Sequence, residues 1–145
     1  MYKRIVLAYD GSEPGQRALL DCRDIAQWSH AELFLIAVMP PATAYLAAEA
    51  GLFDDGRDAQ EQEKYKGILE DGLRRLAQAG HTARGDVVVG ESVAEITRYA
   101  RSLDADLIIV GHKHLDSWAA RWWRGSASPS LIEHAHCSVL VVITR

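Results

Sequence analysis

The sequence predicts an α/β protein in three layers (α/β/α), with a five-stranded parallel sheet between helices on both faces. Short apolar runs alternate with amphipathic helical patterns along the whole chain, and this alternation is typical of a parallel sheet with helical crossovers. The apolar runs are continuous and rich in β-branched residues, as in strands that are buried on both faces. The 145 residues suffice for one core, and no linker or repeat divides them, so we expect a single domain over residues 1–145.

The first strand is predicted over Arg4–Tyr9 and the second over Glu32–Val38, since both are apolar runs of strand length. Between them, Ser12 and Pro14 mark the start of the first helix, because serine caps helix N-termini and proline is tolerated in the first turn. The residues that line one face of this helix are Ala18, Leu19, Cys22, Ile25, Ala26 and Ser29.

Residues 40–60 are the least regular part of the chain, and we expect a surface loop there with one helical turn around Tyr45–Glu49. A second helix follows, and Gly80 is its predicted C-cap, because glycine adopts the left-handed conformation that ends many helices. Its apolar side carries Tyr65, Ile68, Leu69, Gly72, Leu73, Leu76 and Ala77. The third strand is predicted over Thr82–Val89, and Gly90 turns the chain.

The last third of the chain supplies two more helices and two more strands. The third helix is indicated by apolar residues at helical spacing: Val93, Ile96, Thr97, Ala100 and Leu103. The fourth strand is predicted over Leu107–Val110 and the fifth over Ser138–Thr144. A short fourth helix between them starts at Ser128-Pro129 and carries Leu131, Ile132 and Ala135. These elements add up to five strands and four helices.

The stretch from Gly111 to Ser126 has the order of parts from which α/β proteins build phosphate sites, namely strand, glycine, loop and helix start. A glycine lets the backbone approach a ligand closely, although a glycine after a strand also serves as a simple turn. The loop is cationic in an acidic protein, with Lys113, Arg121 and Arg124 opposing only Asp116. It therefore suggests a small anionic ligand, and a solvated loop is the alternative.

Composition excludes several function classes. The net charge of −4 gives no reason to expect a nucleic-acid surface. No apolar run approaches the ~20 residues that span a membrane, and no signal peptide is visible, so we expect a cytoplasmic protein. Cys22 and Cys137 do not make a disulfide framework, and Cys22 is expected to pack as a reduced thiol. No catalytic set is recognisable, so an enzyme is not expected.

The sequence resembles the universal stress protein A family over essentially its full length. The residues that carry the resemblance are the opening I-V-L-A-Y-D-G-S, the fourth strand D-A-D-L-I-I-V-G, Gly125-Ser126, and the C-terminal H-A-H-C-S-V-L-V-V. The resemblance implies a sheet in the order 3-2-1-4-5, in which strands one and four flank the crevice where the strand order reverses. Asp10 and Gly111 are expected to face each other across it.

Nucleotide-binding members of that family carry a motif of Gly, two residues, Gly, nine residues, then Gly and Ser or Thr. Gly111 matches the first glycine and Gly125-Ser126 match the last pair, whereas His114 replaces the second glycine and ten residues follow it. We expect the His114 side chain to narrow the path of the phosphates, although a protonated imidazole would add a contact to them.

The resemblance implies ATP or AMP as the ligand, with Mg²⁺ accompanying ATP. Asp10 is then expected near the ribose or the metal, and the Val38 backbone near the adenine. The residues predicted to meet the phosphates are Gly111, Lys113, His114, Gly125, Ser126 and Ser128. Structural alternatives stay open: Asp10 fixes a turn or caps the first helix, and Ser126 or Ser128 is an N-cap.

Histidines and tryptophans form two further patterns. His112-x-His114 follows strand four and His134-x-His136 precedes strand five, at opposite ends of a parallel sheet and on the order of 15 Å apart, so we expect no shared metal site. Trp118, Trp122 and Trp123 lie on one face of a short helical pattern. This face either packs on the sheet edge or a dimer interface, or it stacks on a base or a partner.

Two hypotheses follow for the function. The first is a cytoplasmic stress-response protein that binds an adenine nucleotide, with at most slow turnover of ATP. The second is a non-nucleotide-binding interaction module on the same fold. In both cases the resemblance implies a homodimer through strand five, along Val139, Leu140, Val141, Val142 and Ile143.

Overall fold

The computed structural model describes residues 1–41, 55–113 and 127–144. Strands and helices alternate along these parts of the chain, as predicted. Their bounds are β1 Arg4–Ala8, α1 Glu13–Ser29, β2 Glu32–Met39, α2 Asp55–Gln78, β3 Ala83–Val89, α3 Ser92–Ser102, β4 Leu107–Lys113, α4 Ala127–His134 and β5 Ser138–Thr144.

The sheet has the order β3-β2-β1-β4-β5, and all of its strand pairs are parallel. The predicted five-stranded parallel sheet with four helices is therefore confirmed for the described residues. β1 pairs with β2 on one side and with β4 on the other, so the chain reverses its direction of winding between β1 and β4. In open α/β sheets a crevice forms at that point, beyond the carboxyl ends of the strands.

Two apolar cores lie on opposite faces of the sheet. The first joins the sheet to α1 and α2, and its fully buried members include Ile5, Leu7, Cys22, Leu35 and Leu76. The second joins the sheet to α3 and α4, and its members include Val6, Ile36, Ile96, Ile108 and Leu131. Successive residues of β1, β2 and β4 alternate between the two cores, because side chains of a strand point to opposite faces of the sheet. Cys22 is a buried free thiol, as expected.

Two helix ends show the predicted capping. Ser12 caps α1, and its Oγ accepts a hydrogen bond from the Gly15 N–H at 3.2 Å. Gly80 ends α2 in the left-handed conformation, with φ of +88°. The Gly80 N–H bonds to the Ala77 carbonyl and the His81 N–H to the Leu76 carbonyl, which is the hydrogen-bond pattern of a Schellman motif.

Two element boundaries differ from the prediction by more than one residue. α2 begins at Asp55, within the expected loop 40–60, because its polar first turns contain good helix formers such as Gln60 and Glu61 and need no buried face. The predicted turn Tyr45–Glu49 lies outside the described residues. β4 continues past Val110 to Lys113, because pairing with β5 extends the strand through residues of low strand propensity. In α4 Leu131 is buried, whereas Ile132 is 56% exposed.

β5 forms one edge of the sheet, since it pairs only with β4. Val139, Leu140 and Val141 are half-buried there, and Ile143 is 51% exposed. The predicted edge position of strand five is confirmed.

Candidate functional site

A crevice of about 190 Å³ opens at the carboxyl ends of β1, β2 and β4, on the side of the sheet that α3 covers. It lies at the point where the strand order reverses, as the sheet order requires. The described residues that line it are Ala8, Tyr9, Asp10, Ile36, Val38, Ser92, Ile96, Val110, Gly111 and His112. Asp10, Val38 and Gly111, which the sequence analysis selected, therefore border one cavity. Their contact with a ligand stays a prediction.

Asp10 holds the turn that leads from β1 into α1. Its Oδ1 accepts hydrogen bonds from the Ser12 N–H at 3.0 Å and from the Ser12 hydroxyl at 2.5 Å. This is the turn-fixing role that the sequence left open for the residue. Its second oxygen, Oδ2, accepts no hydrogen bond within the parts of the chain that the structure describes, and the side chain is exposed. With respect to the described residues, one carboxylate oxygen of Asp10 thus stays available to a ligand.

Gly111 is required by the packing of β4 against α1. A methyl group added to its Cα would overlap the backbone carbonyl of Pro14 and lie 2.8 Å from the Gly15 nitrogen. The close approach that a glycine permits at this position is therefore an approach to the helix α1. The sequence analysis attributed the glycine to a ligand or a turn and missed this helix contact.

The wall between β2 and α3 is mainly apolar. Val38 is half-buried there, and Ile36 and Ile96 are buried, so this side of the crevice offers a surface for a flat, apolar group. Ser92, the first residue of α3, adds a hydroxyl to this side. The sequence analysis did not select Ile36, Ser92 or Ile96. The sheet order could have located Ile36, since β2 lies beside β1, whereas Ser92 and Ile96 depend on where α3 packs.

His112 also lines the crevice, and the sequence analysis did not assign it to the site. It lies one residue beyond Gly111 in β4, opposite Ile143 of β5. It has the same strand parity as Ile108 and Val110, which belong to the core under α3 and α4. That alternation, applied past the predicted end of the strand, is the signal that places His112 at the crevice.

The other predicted site residues belong to the cationic loop or its edges. Lys113 is the last residue of β4, and Ser128 lies in the first turn of α4. His114, Gly125 and Ser126 lie outside the described residues, as do Trp118, Trp122 and Trp123. Their predicted roles stay predictions.

Two described helix starts beside the crevice, those of α1 and α3, are capped by the protein itself. At α1, Ser12 accepts from the Gly15 N–H. At α3, the Glu91 carboxylate accepts from the Val93 and Ala94 N–H groups at 3.0 and 2.8 Å. A capped helix start has fewer unpaired N–H groups for an anion than an uncapped one.

Tyr9 borders the crevice, but its hydroxyl points away from it, toward α2. The hydroxyl donates to Asp71 Oδ2 at 3.0 Å, and the side chains of Arg74 and Arg75 also bond to that carboxylate. Burial, followed by the bond to Asp71, raises the pKa of Tyr9 to about 12. The bond from Arg75 is the main reason that the pKa of Asp71 lies below its usual value.

Of the two histidine pairs, the described members His112, His134 and His136 lie at the two ends of the sheet that the topology dictates. His112 pairs in register with Ile143 near the carboxyl end of β5, whereas His134 and His136 precede its first residue, Ser138. The His134 Nδ1 lies 2.8 Å from the Ser130 carbonyl oxygen, within its own helix. In residues 1–41, 55–113 and 127–144 no group of three or more metal-binding side chains is found.

A family model for the universal stress proteins matches residues 1–142 of the chain. The chain belongs to the universal stress protein family. A Staphylococcus saprophyticus protein whose name places it in this family is 32% identical over 150 residues, covering 99% of this chain and 85% of that protein. The predicted family is thus confirmed.

Two solved universal stress proteins share the fold. One, described as a complex with cAMP, is 24% identical with a TM-score of 0.67 and covers 99% of this chain and 98% of its own. The other, from Archaeoglobus fulgidus and described as a complex with dAMP, is 19% identical with a TM-score of 0.71 and covers 97% and 98% of the two chains. At these identities the likeness concerns the fold. Among the described helices, none is both long and apolar enough to cross a membrane.

Proposed function

We propose that this universal stress protein binds an adenine nucleotide, ATP or AMP, in the crevice between β1 and β4, and that it acts in the cytoplasm without a committed catalytic reaction. The observation that carries the proposal is the crevice itself, which combines an apolar wall with an available carboxylate oxygen at the switch point of the sheet. The two structural relatives that are complexes with cAMP and dAMP support the ligand class.

In the proposed arrangement the adenine lies against the wall around Val38, and its polar edge meets the Val38 backbone. Asp10 accepts hydrogen bonds from the ribose through Oδ2, which the turn at Ser12 leaves available. The phosphates then extend from Gly111 toward the cationic loop, where Lys113, His114, Gly125, Ser126 and Ser128 are the proposed contacts.

Asp10 also suits Mg²⁺ when ATP is the ligand. Mg²⁺ in nucleotide sites is held by one or two carboxylates together with the phosphates and water, and the exposed Oδ2 of Asp10 supplies one such ligand. The ion would neutralise part of the phosphate charge beside this acidic side chain. Neither the binding of the nucleotide nor the binding of Mg²⁺ requires a catalytic residue.

The test is calorimetric titration of the protein with ATP, AMP and cyclic AMP. We expect saturable binding of at least one of them. His114→Gly should strengthen binding by opening the path of the phosphates, and Gly125→Val should abolish it. Weaker binding by His114→Gly would identify the histidine as a phosphate ligand instead. No binding at millimolar concentration by the wild type or by His114→Gly would contradict the proposal.

A second candidate function is a homodimeric interaction module with a defunct ligand site. The observation that favours it is the apolar edge strand β5, where Ile143 is 51% exposed, because such an edge invites pairing with another strand. We propose an antiparallel contact between the β5 strands of two copies. Ile143→Lys should weaken it, and Val89→Lys is the matched control, since Val89 is 52% exposed on β3, which forms the opposite edge of the sheet.

Sedimentation velocity measures the outcome. A wild type that sediments as a monomer at micromolar concentration would contradict the dimer. A dimer that binds none of the nucleotides would favour the interaction module over the nucleotide-binding function.

A further inference from the structure

A groove with a volume of about 650 Å³ runs between α3 and α4, and it shares no lining residue with the crevice. One wall is a stripe of α3 at helical spacing, which includes Ala94, Thr97 and Arg101. The other wall carries Ser130 and His134, which lie one turn apart on α4. Two neighbouring helices thus leave a surface between them on which a third helix can pack.

The positive charge of the groove lies at one end. Arg101 is in the last turn of α3, and His134 is in the last turn of α4. Arg98 also lines the groove, but its guanidinium bonds to Glu95 one turn away in α3. Arg101 is exposed, and its guanidinium forms no ion pair or hydrogen bond with the described residues. Arg101 is therefore the cation through which this end can bind a carboxylate.

The other end of the groove, at the start of α3, is apolar. Val93 and Ala94 line it, and Ala94 is exposed. The Glu91 carboxylate is engaged by the N–H groups of these two residues as the cap of α3. The Thr97 hydroxyl bonds to the Val93 and Ala94 carbonyls within the same helix. This end thus suits apolar side chains, whereas the end at Arg101 suits acidic ones.

We propose that the groove binds an amphipathic helix of a partner protein, with apolar side chains on Val93 and Ala94 and an acidic first turn at Arg101. A helix beside α3 has the same rise per residue, so side chains two turns apart match the separation of Ala94 and Arg101, about 10 Å along the axis. Carboxylates are favoured in the first turn of a helix, so the bound helix runs antiparallel to α3. This surface is distinct from the crevice, and the inference does not rest on nucleotide binding.

The probe is a synthetic peptide of about 16 residues, a length at which a helix can form in water. It has glutamates throughout its first turn and leucines at helical spacing along one face. A second peptide has glutamine in place of each glutamate. Fluorescence anisotropy of the labelled peptides measures their affinities, and NMR amide shifts of the isotope-labelled protein locate the bound peptide.

Two variants test the two ends of the groove separately. Arg101→Glu reverses the charge at one end, and Ala94→Gln places a larger polar side chain on the apolar end. Both residues are exposed on α3, so the fold should tolerate either change. Lys66→Glu is the control, because it makes the same change of charge at an exposed position of α2, on the opposite face of the sheet.

We expect the wild type to bind the glutamate peptide about tenfold more tightly than the glutamine peptide, the scale of one charge-assisted hydrogen bond. Arg101→Glu should abolish that ratio, and Lys66→Glu should retain it. Ala94→Gln should weaken the binding of both peptides and leave their ratio unchanged. The amides that shift should be those of α3 and α4.

Several results would overturn the inference. Equal affinities of the wild type for the two peptides, or an unchanged ratio in Arg101→Glu, would remove Arg101 from recognition. Shifts confined to other parts of the chain would place the peptide elsewhere. Shifts of the α3 and α4 amides with protein concentration alone would show that a second copy of the chain covers the groove. No binding of the glutamate peptide at millimolar concentration would also contradict the proposal.

Discussion

Opposite ends of the neighbouring strands β1 and β4 each have an aspartate, but the protein uses the two carboxylates differently. At the amino end, Asp106 precedes β4 and accepts the N–H groups of Lys3 and Arg4 at 2.8 and 3.1 Å, one with each oxygen. The Asp106 N–H in turn donates to the Arg4 carbonyl at 3.0 Å. At the carboxyl end, the hydrogen bonds of Asp10 to the described residues use only Oδ1, at the turn to Ser12.

The difference shows at which end of the sheet a carboxylate oxygen has no hydrogen bond to the described residues. Both oxygens of Asp106 accept hydrogen bonds from backbone N–H groups at the start of β1, so the protein itself satisfies this carboxylate. At the carboxyl end a carboxylate oxygen and a crevice lie side by side. Polar groups that the fold does not satisfy itself are candidates for ligand contact, and here they lie where parallel sheets bind ligands.

The largest expected change in stability comes from Gly111→Ala, at the carboxyl end of the strands. The added methyl group would overlap the Pro14 carbonyl and force β4 and the start of α1 apart, so we expect a loss of about 3 kcal/mol in the free energy of unfolding. Urea unfolding measures it. The matched control is Gly67→Ala in α2, where a methyl group meets nothing within 4 Å and should stabilise the helix by about 0.5 kcal/mol. Equal stability of the two variants would refute the close packing at Gly111.

At the amino end of the strands, Asp106→Ala removes both hydrogen bonds to the backbone at the start of β1. We expect a loss of about 1.5 kcal/mol, since the bonds are charge-assisted but partly exposed. Nucleotide affinity should not change, because Asp106 lies at the far end of the strands. The measurement is urea unfolding together with calorimetric titration, and a large loss of affinity with little loss of stability would reverse the roles given to the two ends.

Tyr9→Phe tests the hydrogen bond that joins the carboxyl end of β1 to Asp71 of α2. We expect the free energy of unfolding to fall by about 1 kcal/mol at pH 7, because this bond is lost. Folding raises the pKa of Tyr9 from 10.0 to about 12, so it favours the protonated phenol. This contribution is complete below pH 10 and is lost as the pH rises through about 12. The variant should therefore lose less stability than the wild type between these pH values.

Unfolding by urea at pH 8 and at pH 11.5 measures that difference. Part of the alkaline decline should persist in the variant, because burial, followed by the bond to Asp86, also raises the pKa of Tyr99. The same pH dependence in both proteins would show that Tyr9 does not ionise with the unfolding transition.

The strands and helices could be predicted from the sequence because the spacing of apolar residues and the turn and cap residues indicate the same elements. Continuous apolar runs and amphipathic faces predicted five strands and four helices, and the C-cap at Gly80 was predicted from glycine alone. The start of α2 could not be read in this way, since its first turns are polar on all sides. The end of β4 was missed because pairing with β5 overrides the weak strand propensity of Gly111, His112 and Lys113.

The candidate site was predicted only in part. Asp10 and Val38 were assigned through the family resemblance, and Gly111 also through the predicted end of strand four. Ser92 and His112 depend on how α3 and the end of β4 are placed in space. The predicted fourth strand ended at Val110, although β4 continues to Lys113, so the sequence analysis did not treat His112 as part of the strand. His112 was considered as half of a histidine pair, although its strand parity assigns it to the crevice.

Asp10→Asn should have the smallest effect on stability. It also tests directly whether Asp10, unlike Asp106, contacts the ligand. Asparagine keeps one oxygen that can accept from the Ser12 N–H and hydroxyl, so the free energy of unfolding should change by less than about 0.5 kcal/mol. It replaces the available carboxylate oxygen with a donor, which cannot accept from a ribose hydroxyl. Adenosine affinity should therefore fall about tenfold, the scale of one charge-assisted hydrogen bond. Calorimetric titration with adenosine, beside Asp106→Asn as the control, measures it. If Asp10→Asn binds adenosine as the wild type does, then Asp10 only fixes the turn, and the contrast between the two ends of the strands does not extend to the ligand.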